Sequence, residues 1–324
     1  MCHAWGVHRF LSCLCFLLVS CGDPSATWEV VERDLPGALL SVWGASSSDI
    51  WTVGGDARDG SGPMVLRYDG NTWSRVETGR DAGALWWVFG FSDGPVFLGG
   101  EGGVILRWNG SAFEEMTTPG TTTVFGIWGA SPDEVWAVGG VPNTSGFVWR
   151  LRDGAWEDVA LPEGVGDAAI WKAFGSSAND VWFVGENGLG MRWTGSAFEQ
   201  DDTGVATSLF TVHGVAGRYA AVGGLGNGVI IERDGTGWHD VTPAAGFAGL
   251  SGVVLGEREF GVAVGTFGVV LERRRSGWAE VDLGVRVDQN LHGVWIDPDG
   301  DVWAVGGQTL SAALNEGILL HRTR

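Results

Sequence analysis

Three alternating aspartates, Asp297, Asp299 and Asp301, are the most evident candidates for metal chemistry in the sequence. Carboxylates at alternate positions can converge on a hard cation such as Ca²⁺. The other ligands of an EF-hand loop are missing, and equivalent places in the chain hold Ser, Asp or Asn, whose side chains shape turns. A turn is therefore preferred over a calcium site here. Asp56 and Asp59 form a weaker version of the same pattern, and we expect no cofactor.

Two histidines, His213 and His292, are candidates for ligand binding because they fall in the first strands of the repeats described below. A metal site needs three or four converging ligands, and no H-x-H or H-x3-H pair accompanies either residue. Each histidine is therefore a lone polar side chain near a channel or a filled core position.

The adjacent tryptophans Trp86 and Trp87 could bind a ligand by stacking. Neighbouring residues of a strand point to opposite faces, so the pair cannot pack on one side only. An exposed tryptophan beside acidic groups suits a sugar ring. The alternative is that both indoles are buried between adjacent sheets.

The first 20 residues have the pattern of a bacterial lipoprotein signal peptide. A weakly basic start precedes an apolar run too short to cross a membrane, and Leu18-Val19-Ser20-Cys21 resembles a lipobox. This resemblance implies cleavage before Cys21, lipid attachment to its thiol and a tether over residues 21–27. An ordinary secretory signal is the alternative. Because Cys13 and Cys15 leave with the signal, no disulfide and no thiol catalysis are expected. Gly22 after Cys21 favours the outer membrane.

The charge balance excludes one class of partner. The formal net charge is −19, and loss of Arg9 with the signal leaves 19 basic against 39 acidic side chains, or −20. Such a surface repels phosphate backbones, so we predict no nucleic-acid partner.

A repeated pattern of short apolar runs and turn clusters organises the remaining chain. Each copy predicts four strands, and the second strand closes on an apolar residue followed by glycine, at spacings of 38 to 46 residues. The seven copies are Val53-Gly54, Leu98-Gly99, Val138-Gly139, Val184-Gly185, Val222-Gly223, Val264-Gly265 and Val305-Gly306.

The fourth strand begins at an aromatic residue in six copies, and the seventh aromatic, Trp28, stands before the first repeat. An N-terminal strand that completes the C-terminal blade closes a ring and removes exposed sheet edges. The sequence therefore predicts an all-β, seven-bladed β-propeller with four antiparallel strands per blade. The propeller spans residues 28–324, with an outer strand at 28–33 and repeats at about 38–77, 83–118, 122–160, 168–200, 207–243, 248–283 and 289–324.

Longer connections between the second and third strands occur in the first, third and seventh repeats, at 55–63, 140–145 and 306–316. Loops that break a repeat are candidate binding surfaces, and neutral length variation is the alternative.

The repeat resembles those of known propeller families. Gly54-Gly55, Tyr68 and Trp73 follow the order of kelch repeats, and Asp69-Gly70-Asn71-Thr72-Trp73 resembles the Asp-box of BNR propellers. The whole pattern is most similar to tryptophan-rich propeller lipoproteins of high-GC bacteria such as myxobacteria. That resemblance implies the fold and little about activity.

The enzymatic relatives do not match residue by residue. A galactose-oxidase-like copper site needs a cross-linked cysteine and tyrosine, and the processed chain has no free cysteine. A sialidase needs a tyrosine nucleophile with an acidic partner, and neither Tyr68 nor Tyr219 has an evident one.

Two functions fit the sequence. The first is a non-enzymatic, lipid-anchored module of the bacterial cell envelope that binds or scaffolds another envelope protein. The alternative is a carbohydrate-binding or carbohydrate-processing propeller, whose partner is a polysaccharide.

Overall fold

The computed structural model describes Met1 and residues 27–324. The predicted signal peptide, the Cys21 lipidation site and most of the tether lie outside the described residues. Within residues 27–324, no helix is long and apolar enough to span a membrane. Regular structure there consists of strands and three single 3₁₀ turns, at Glu101–Gly103, Glu186–Gly188 and Thr266–Gly268.

Seven four-stranded antiparallel sheets form the blades of a propeller, which confirms the predicted fold. The first strand in the chain is β1 (Trp28–Leu35). Blade 1 contains β2 (Leu39–Ser46), β3 (Asp49–Asp56), β4 (Pro63–Tyr68) and β5 (Trp73–Arg75). Blade 2 contains β6 (Leu85–Gly90), β7 (Val96–Gly100), β8 (Ile105–Trp108) and β9 (Phe113–Glu115). Blade 3 contains β10 (Val124–Ser131), β11 (Glu134–Val141), β12 (Ser145–Arg152) and β13 (Ala155–Asp158).

The remaining blades repeat this arrangement. Blade 4 contains β14 (Ile170–Ser177), β15 (Asp180–Gly185), β16 (Gly190–Trp193) and β17 (Phe198–Gln200). Blade 5 contains β18 (Leu209–Val215), β19 (Arg218–Gly223), β20 (Val229–Asp234) and β21 (Gly237–Asp240). Blade 6 contains β22 (Leu250–Leu255), β23 (Gly261–Gly265), β24 (Val270–Arg274) and β25 (Gly277–Glu280). Blade 7 contains β26 (Asn290–Ile296), β27 (Val302–Gln308), β28 (Asn315–Arg322) and, as its outer strand, β1.

The ring closes as predicted, because β1 pairs with β28. Trp28 lies opposite Arg322 and Val30 opposite Leu320. The Trp28 side chain is 5% exposed and shares a buried cluster with Val262 of blade 6. The N-terminal strand therefore seals the last blade against its neighbour.

The core lies between the blades. Seven buried clusters are present among the described residues, one for each pair of adjacent blades. Large aromatic side chains of the second strands fill these spaces, and Trp51, Trp136 and Trp182 are almost fully buried. Such side chains bury on the order of 150 to 250 Å² each, which accounts for the tryptophan-rich repeat.

Close backbone approach explains the glycine that ends the second strand. At Gly54, Gly223 and Gly306, a Cβ atom would overlap the carbonyl oxygen at the start of the first strand of the same blade. In blade 2 this role belongs to Gly100, which pairs with Leu85. The sequence predicted Gly99 as the glycine that ends this second strand. That prediction is wrong by one residue, because Gly99 and Gly100 are adjacent and the repeat pattern fits both.

The strand directions give the disc two distinct faces. Each first strand starts on the face that also carries the connections between second and third strands and those between blades, which we call the loop face. The opposite face carries the turns between first and second and between third and fourth strands, and we call it the turn face.

Candidate functional site

The innermost strands carry a β-bulge at the same place in every blade. Pairing with the second strand skips one residue near the start of each first strand. Bulges re-aim side chains and recur beside functional sites. The skipped residues, which we call the channel ring, are Leu40, Trp86, Phe125, Trp171, Phe210, Ser251 and His292.

Aromatic contacts join most of the channel ring. Ring centroids are 5.3 Å apart for Trp86 and Phe125, 4.7 Å for Phe125 and Trp171, and 5.7 Å for Trp171 and Phe210. Trp86 also lies 5.9 Å from His292 of blade 7, so the structure brings these two candidates together. The indole nitrogens of Trp86 and Trp171 are buried and have no hydrogen-bond partner in the described part of the chain.

His292 is fixed and neutral in the channel ring. Its Nδ1 lies 2.6 Å from the carbonyl oxygen of Leu40, which requires this nitrogen to carry the proton and donate. Burial lowers the pKa of His292 to about 4, and the nearby charge of Lys172 acts in the same direction. The imidazole is therefore uncharged at neutral pH.

Lys172 is the residue of the channel that sequence reasoning missed. Its side chain is buried, and its ammonium donates a hydrogen bond of 2.5 Å to the Phe125 carbonyl. The Lys172 nitrogen lies 4.1 Å from the ring centroid of Trp87, whose own indole N–H donates to the Ile127 carbonyl at 2.9 Å. Burial lowers the pKa of Lys172 to about 7. The available signal was that this is the only lysine in the chain.

His213 lies away from the channel ring, at the turn-face end of β18. Its Nδ1 accepts a hydrogen bond of 3.1 Å from the Leu255 N–H, and its ring lies 4.3 Å from that of Phe174. Burial lowers the pKa of His213 to about 4. The two histidine candidates therefore occupy separate sites, and His213 joins blades 5 and 6.

Exposed apolar side chains mark the loop face. In the span 27–324, the strongly exposed large hydrophobic residues are Val141 (45%), Leu225 (70%), Phe267 (75%) and Leu310 (66%). All four lie at or within connections between second and third strands, in blades 3, 5, 6 and 7. Two of the three long loops predicted as binding surfaces, at 140–145 and 306–316, contribute to this set.

Phe267 has an unusual backbone conformation. It occupies the middle of the 3₁₀ turn Thr266–Gly268 with a φ of +59°. Blades 2 and 4 contain the same turn, and there the middle residues are Gly102 (φ +73°) and Asn187 (φ +55°). Glycine and asparagine tolerate this left-handed region, whereas a bulky side chain rarely adopts it.

The loop-face connections are strongly acidic. They contain three arginines, Arg58, Arg80 and Arg286, each already engaged: Arg58 donates to the Ala312 carbonyl, Arg80 pairs with Glu115, and Arg286 pairs with Asp288. The acidic residues between the strands of this face are Asp59, Glu77, Asp81, Glu101, Glu163, Asp167, Glu186, Asp201, Asp202, Asp282 and Asp288. The face therefore presents an excess of negative charge.

Of the candidates Asp56 and Asp59, the first ends β3 and the second lies in the loop-face connection that follows. Asp56 accepts hydrogen bonds from the backbone N–H groups of Arg58 (2.7 Å) and Gly83 (3.2 Å). The hydroxyl and N–H of Ser61 donate to Asp59 and lower the pKa of that carboxyl. Both carboxylates thus shape the loop that holds them.

The candidates Asp297, Asp299 and Asp301 lie on the turn face of blade 7. Asp297 accepts from the N–H groups of Asp299 (2.9 Å) and Asp301 (3.0 Å) and from the Trp303 indole (3.3 Å). Asp301 lies 3.1 Å from Nε2 of His321. Among the residues with described positions, no group of three or more His, Cys, Asp or Glu is arranged to hold a metal ion.

A broad depression opens on the turn face near the axis. Its volume is about 610 Å³, and it is lined by aromatic side chains, including Trp43, Phe91 and Trp295, and by two aspartates, Asp93 and Asp297.

Tyr219 has an acidic partner that the sequence did not reveal. Its hydroxyl donates a hydrogen bond of 2.6 Å to Asp180, which also pairs with Arg192. Burial and this hydrogen bond raise the pKa of Tyr219 to about 12. A phenol with so high a pKa is a weak nucleophile at neutral pH.

No protein-family model matches the chain, and no curated protein sequence matches it. Solved structures do share the fold. A streptogramin B lyase is 17% identical with a TM-score of 0.71, over 91% of this chain and 98% of the lyase. YCF48 from Cyanidioschyzon merolae is 15% identical with a TM-score of 0.68, over 91% and 98%. YCF48 bound to D1 peptide is 15% identical with a TM-score of 0.69, over 92% and 97%. At this identity the likeness establishes the β-propeller alone.

Proposed function

We propose that this protein is a non-enzymatic binding module whose loop face recognises another protein. The supporting observation is that the strongly exposed apolar side chains in residues 27–324, including Leu225, Phe267 and Leu310, all belong to one face. Exposed apolar patches with a polar rim mark interaction sites. Propellers of similar structure include one solved with a bound peptide, which is consistent with this use of the fold.

The proposed location is the bacterial cell envelope. The lipobox supports attachment of a lipid to Cys21, and Gly22 supports the outer membrane as its destination. The kelch-like and BNR-like features, and the likeness to propeller lipoproteins of high-GC bacteria, are part of the same proposal. The mature charge of −20 disfavours nucleic acid as the partner.

Differential capture from solubilised envelope tests the proposed face. The full chain, immobilised in detergent, is compared with a Leu225→Ser/Leu310→Ser variant and with a control, Ala197→Ser/Arg275→Ser, whose exposed residues lie in turn-face hairpins. We expect at least one envelope protein to bind the wild type and the control but not the loop-face variant. Equal capture by all three proteins, or capture by none, would contradict the proposal.

A carbohydrate-binding function is the second candidate, and the turn-face depression supports it. Aromatic rings such as Phe91 and Trp295 can stack on sugars, and Asp93 offers a carboxylate to hydroxyl groups. Binding of envelope polysaccharide that Phe91→Ala or Asp93→Asn abolishes, with the loop-face variant unaffected, would favour this function. The likeness to a lyase carries no activity by itself, since the fold hosts many functions.

A further inference from the structure

Building on the proposed protein-binding function, we propose that Phe267 is the anchor residue of the loop face and that its partner is a cationic polypeptide segment with apolar side chains. Three independent features carry this inference: the backbone of Phe267, its position between two other exposed apolar residues, and the negative charge of the loop face.

The backbone argument comes from a comparison inside the molecule. Three blades build the same 3₁₀ turn, and the left-handed position holds Gly102, Asn187 or Phe267. The turn therefore forms without a phenylalanine. A bulky residue in this region costs stability, and residues strained in this way cluster at binding and active sites. Since the Phe267 side chain is 75% exposed, burial in the core does not compensate that cost.

Phe267 stands at the centre of a row of apolar residues. Leu225 and Leu310 occupy the equivalent connections of the two flanking blades. The Phe267 N–H donates a hydrogen bond of 3.0 Å to the Oδ1 of Asn290, at the start of blade 7, so its turn is tied to the neighbouring blade. Because the backbone is already held, binding has to order little more than the phenyl ring, which suits an interface anchor.

The negative charge of the loop face favours a cationic partner. Eleven carboxylates and three arginines lie in the connections of the loop face as a whole. Beside Phe267, Asp288 and Arg286 neutralise each other in an ion pair of 2.8 Å, which leaves the charge of Asp282. An acidic surface attracts a basic segment and repels an anionic membrane. A cationic, apolar polypeptide therefore complements the face better than a lipid surface does.

Selection of short random peptides displayed on phage, against the full chain in detergent, tests the inference. We expect enriched peptides to combine Lys or Arg with large apolar residues. Phe267→Asn, which installs the residue of the blade 4 turn, should weaken a selected peptide by about tenfold or more. Its melting temperature should stay equal or rise, because asparagine suits the backbone. Phe267→Leu should retain most binding, and Asn187→Gly in the sister turn should leave it unchanged.

Several results would overturn the inference. These are enrichment of acidic peptides, full binding by Phe267→Asn, or loss of binding accompanied by a lower melting temperature. Phe267-dependent sedimentation with phosphatidylglycerol vesicles would replace the polypeptide by a lipid surface. If envelope capture depends on Leu225 and Leu310 while selected peptides ignore Phe267, the anchor assignment fails and the proposed function stands.

Discussion

Replacing the buried Lys172 by methionine should remove a pH dependence from the stability of the propeller. Lys172 is buried among Trp87, Phe125 and the backbone of neighbouring blades. Methionine fills a similar volume without a charge, so the change isolates the ionisation of one side chain.

The sign and size of this pH dependence follow from the pKa of Lys172. The pKa falls from 10.5 to about 7 on folding, so at pH values between these two the unfolded chain binds more protons than the folded one. Stability therefore rises with pH across this range and is lowest below about pH 7. At about 1.36 kcal/mol per pH unit the full rise is about 5 kcal/mol. This figure is an upper bound, because the Trp87 ring and the Phe125 carbonyl stabilise the ammonium.

The assay is denaturant unfolding followed by tryptophan fluorescence, at several pH values between about 7 and 10. Few other side chains change their protonation in this pH range, since the chain has one lysine and two tyrosines, and the pKa of Tyr219 is raised to about 12. We expect the free energy of unfolding of the wild type to rise with pH. Lys172→Met should be more stable than the wild type at pH 7, and its free energy of unfolding should change little with pH.

Arginine at the same position provides the control. The arginine of Lys172→Arg keeps its charge across the range. This variant should therefore be less stable than Lys172→Met at every pH, and its free energy of unfolding should not depend on pH. Wild-type and Lys172→Met curves that rise in parallel would refute the reasoning, because the pH dependence would then come from other groups.

Three further substitutions test the framework, the first two by the free energy of unfolding and the third by the melting temperature. Trp28→Ala should cost about 3 to 5 kcal/mol because it empties the closing strand's buried position, and the exposed Glu29→Ala should cost little; equal effects would argue against ring closure. Glu134→Gln should cost about 3 kcal/mol by leaving the buried Arg150 without its carboxylate, and adding Arg150→Met should restore much of the loss. Gly223→Ala should lower the melting temperature, because its Cβ would overlap a backbone carbonyl; an unchanged temperature would show that the blade can adjust.

The propeller could be predicted because its repeat records contacts that every blade shares. A glycine recurs where a second strand meets a carbonyl group, and an aromatic residue recurs where a fourth strand begins. The isolated Trp28 could then be assigned to the fourth strand of the last blade, the one repeat that lacked this aromatic residue. The sequence predicted Gly99 where the structure has Gly100, because two adjacent glycines are equivalent in the repeat pattern. Only the pairing of Gly100 with Leu85 distinguishes them.

The channel could not be predicted in the same way. Contact between Trp86 and His292 depends on a bulge near the start of each first strand, and the alternation of apolar residues does not reveal a skipped residue. The hydrogen bond between Tyr219 and Asp180 joins adjacent blades across 39 residues of sequence. Such contacts follow from the angle between blades, which no single repeat encodes.

Departures from the repeat are nevertheless informative once the blades are superposed in register. Lys172 occupies a position where three other blades have glycine (Gly126, Gly252 and Gly293), and Phe267 stands where the two sister turns have glycine or asparagine. Lys172 finds its partners inside the protein, namely a carbonyl group and an indole ring, so packing accounts for it. The Phe267 side chain projects into solvent from a backbone that disfavours it. A departure with internal partners can serve the fold, whereas one that costs stability and faces outward is the kind of residue that we propose binds a partner.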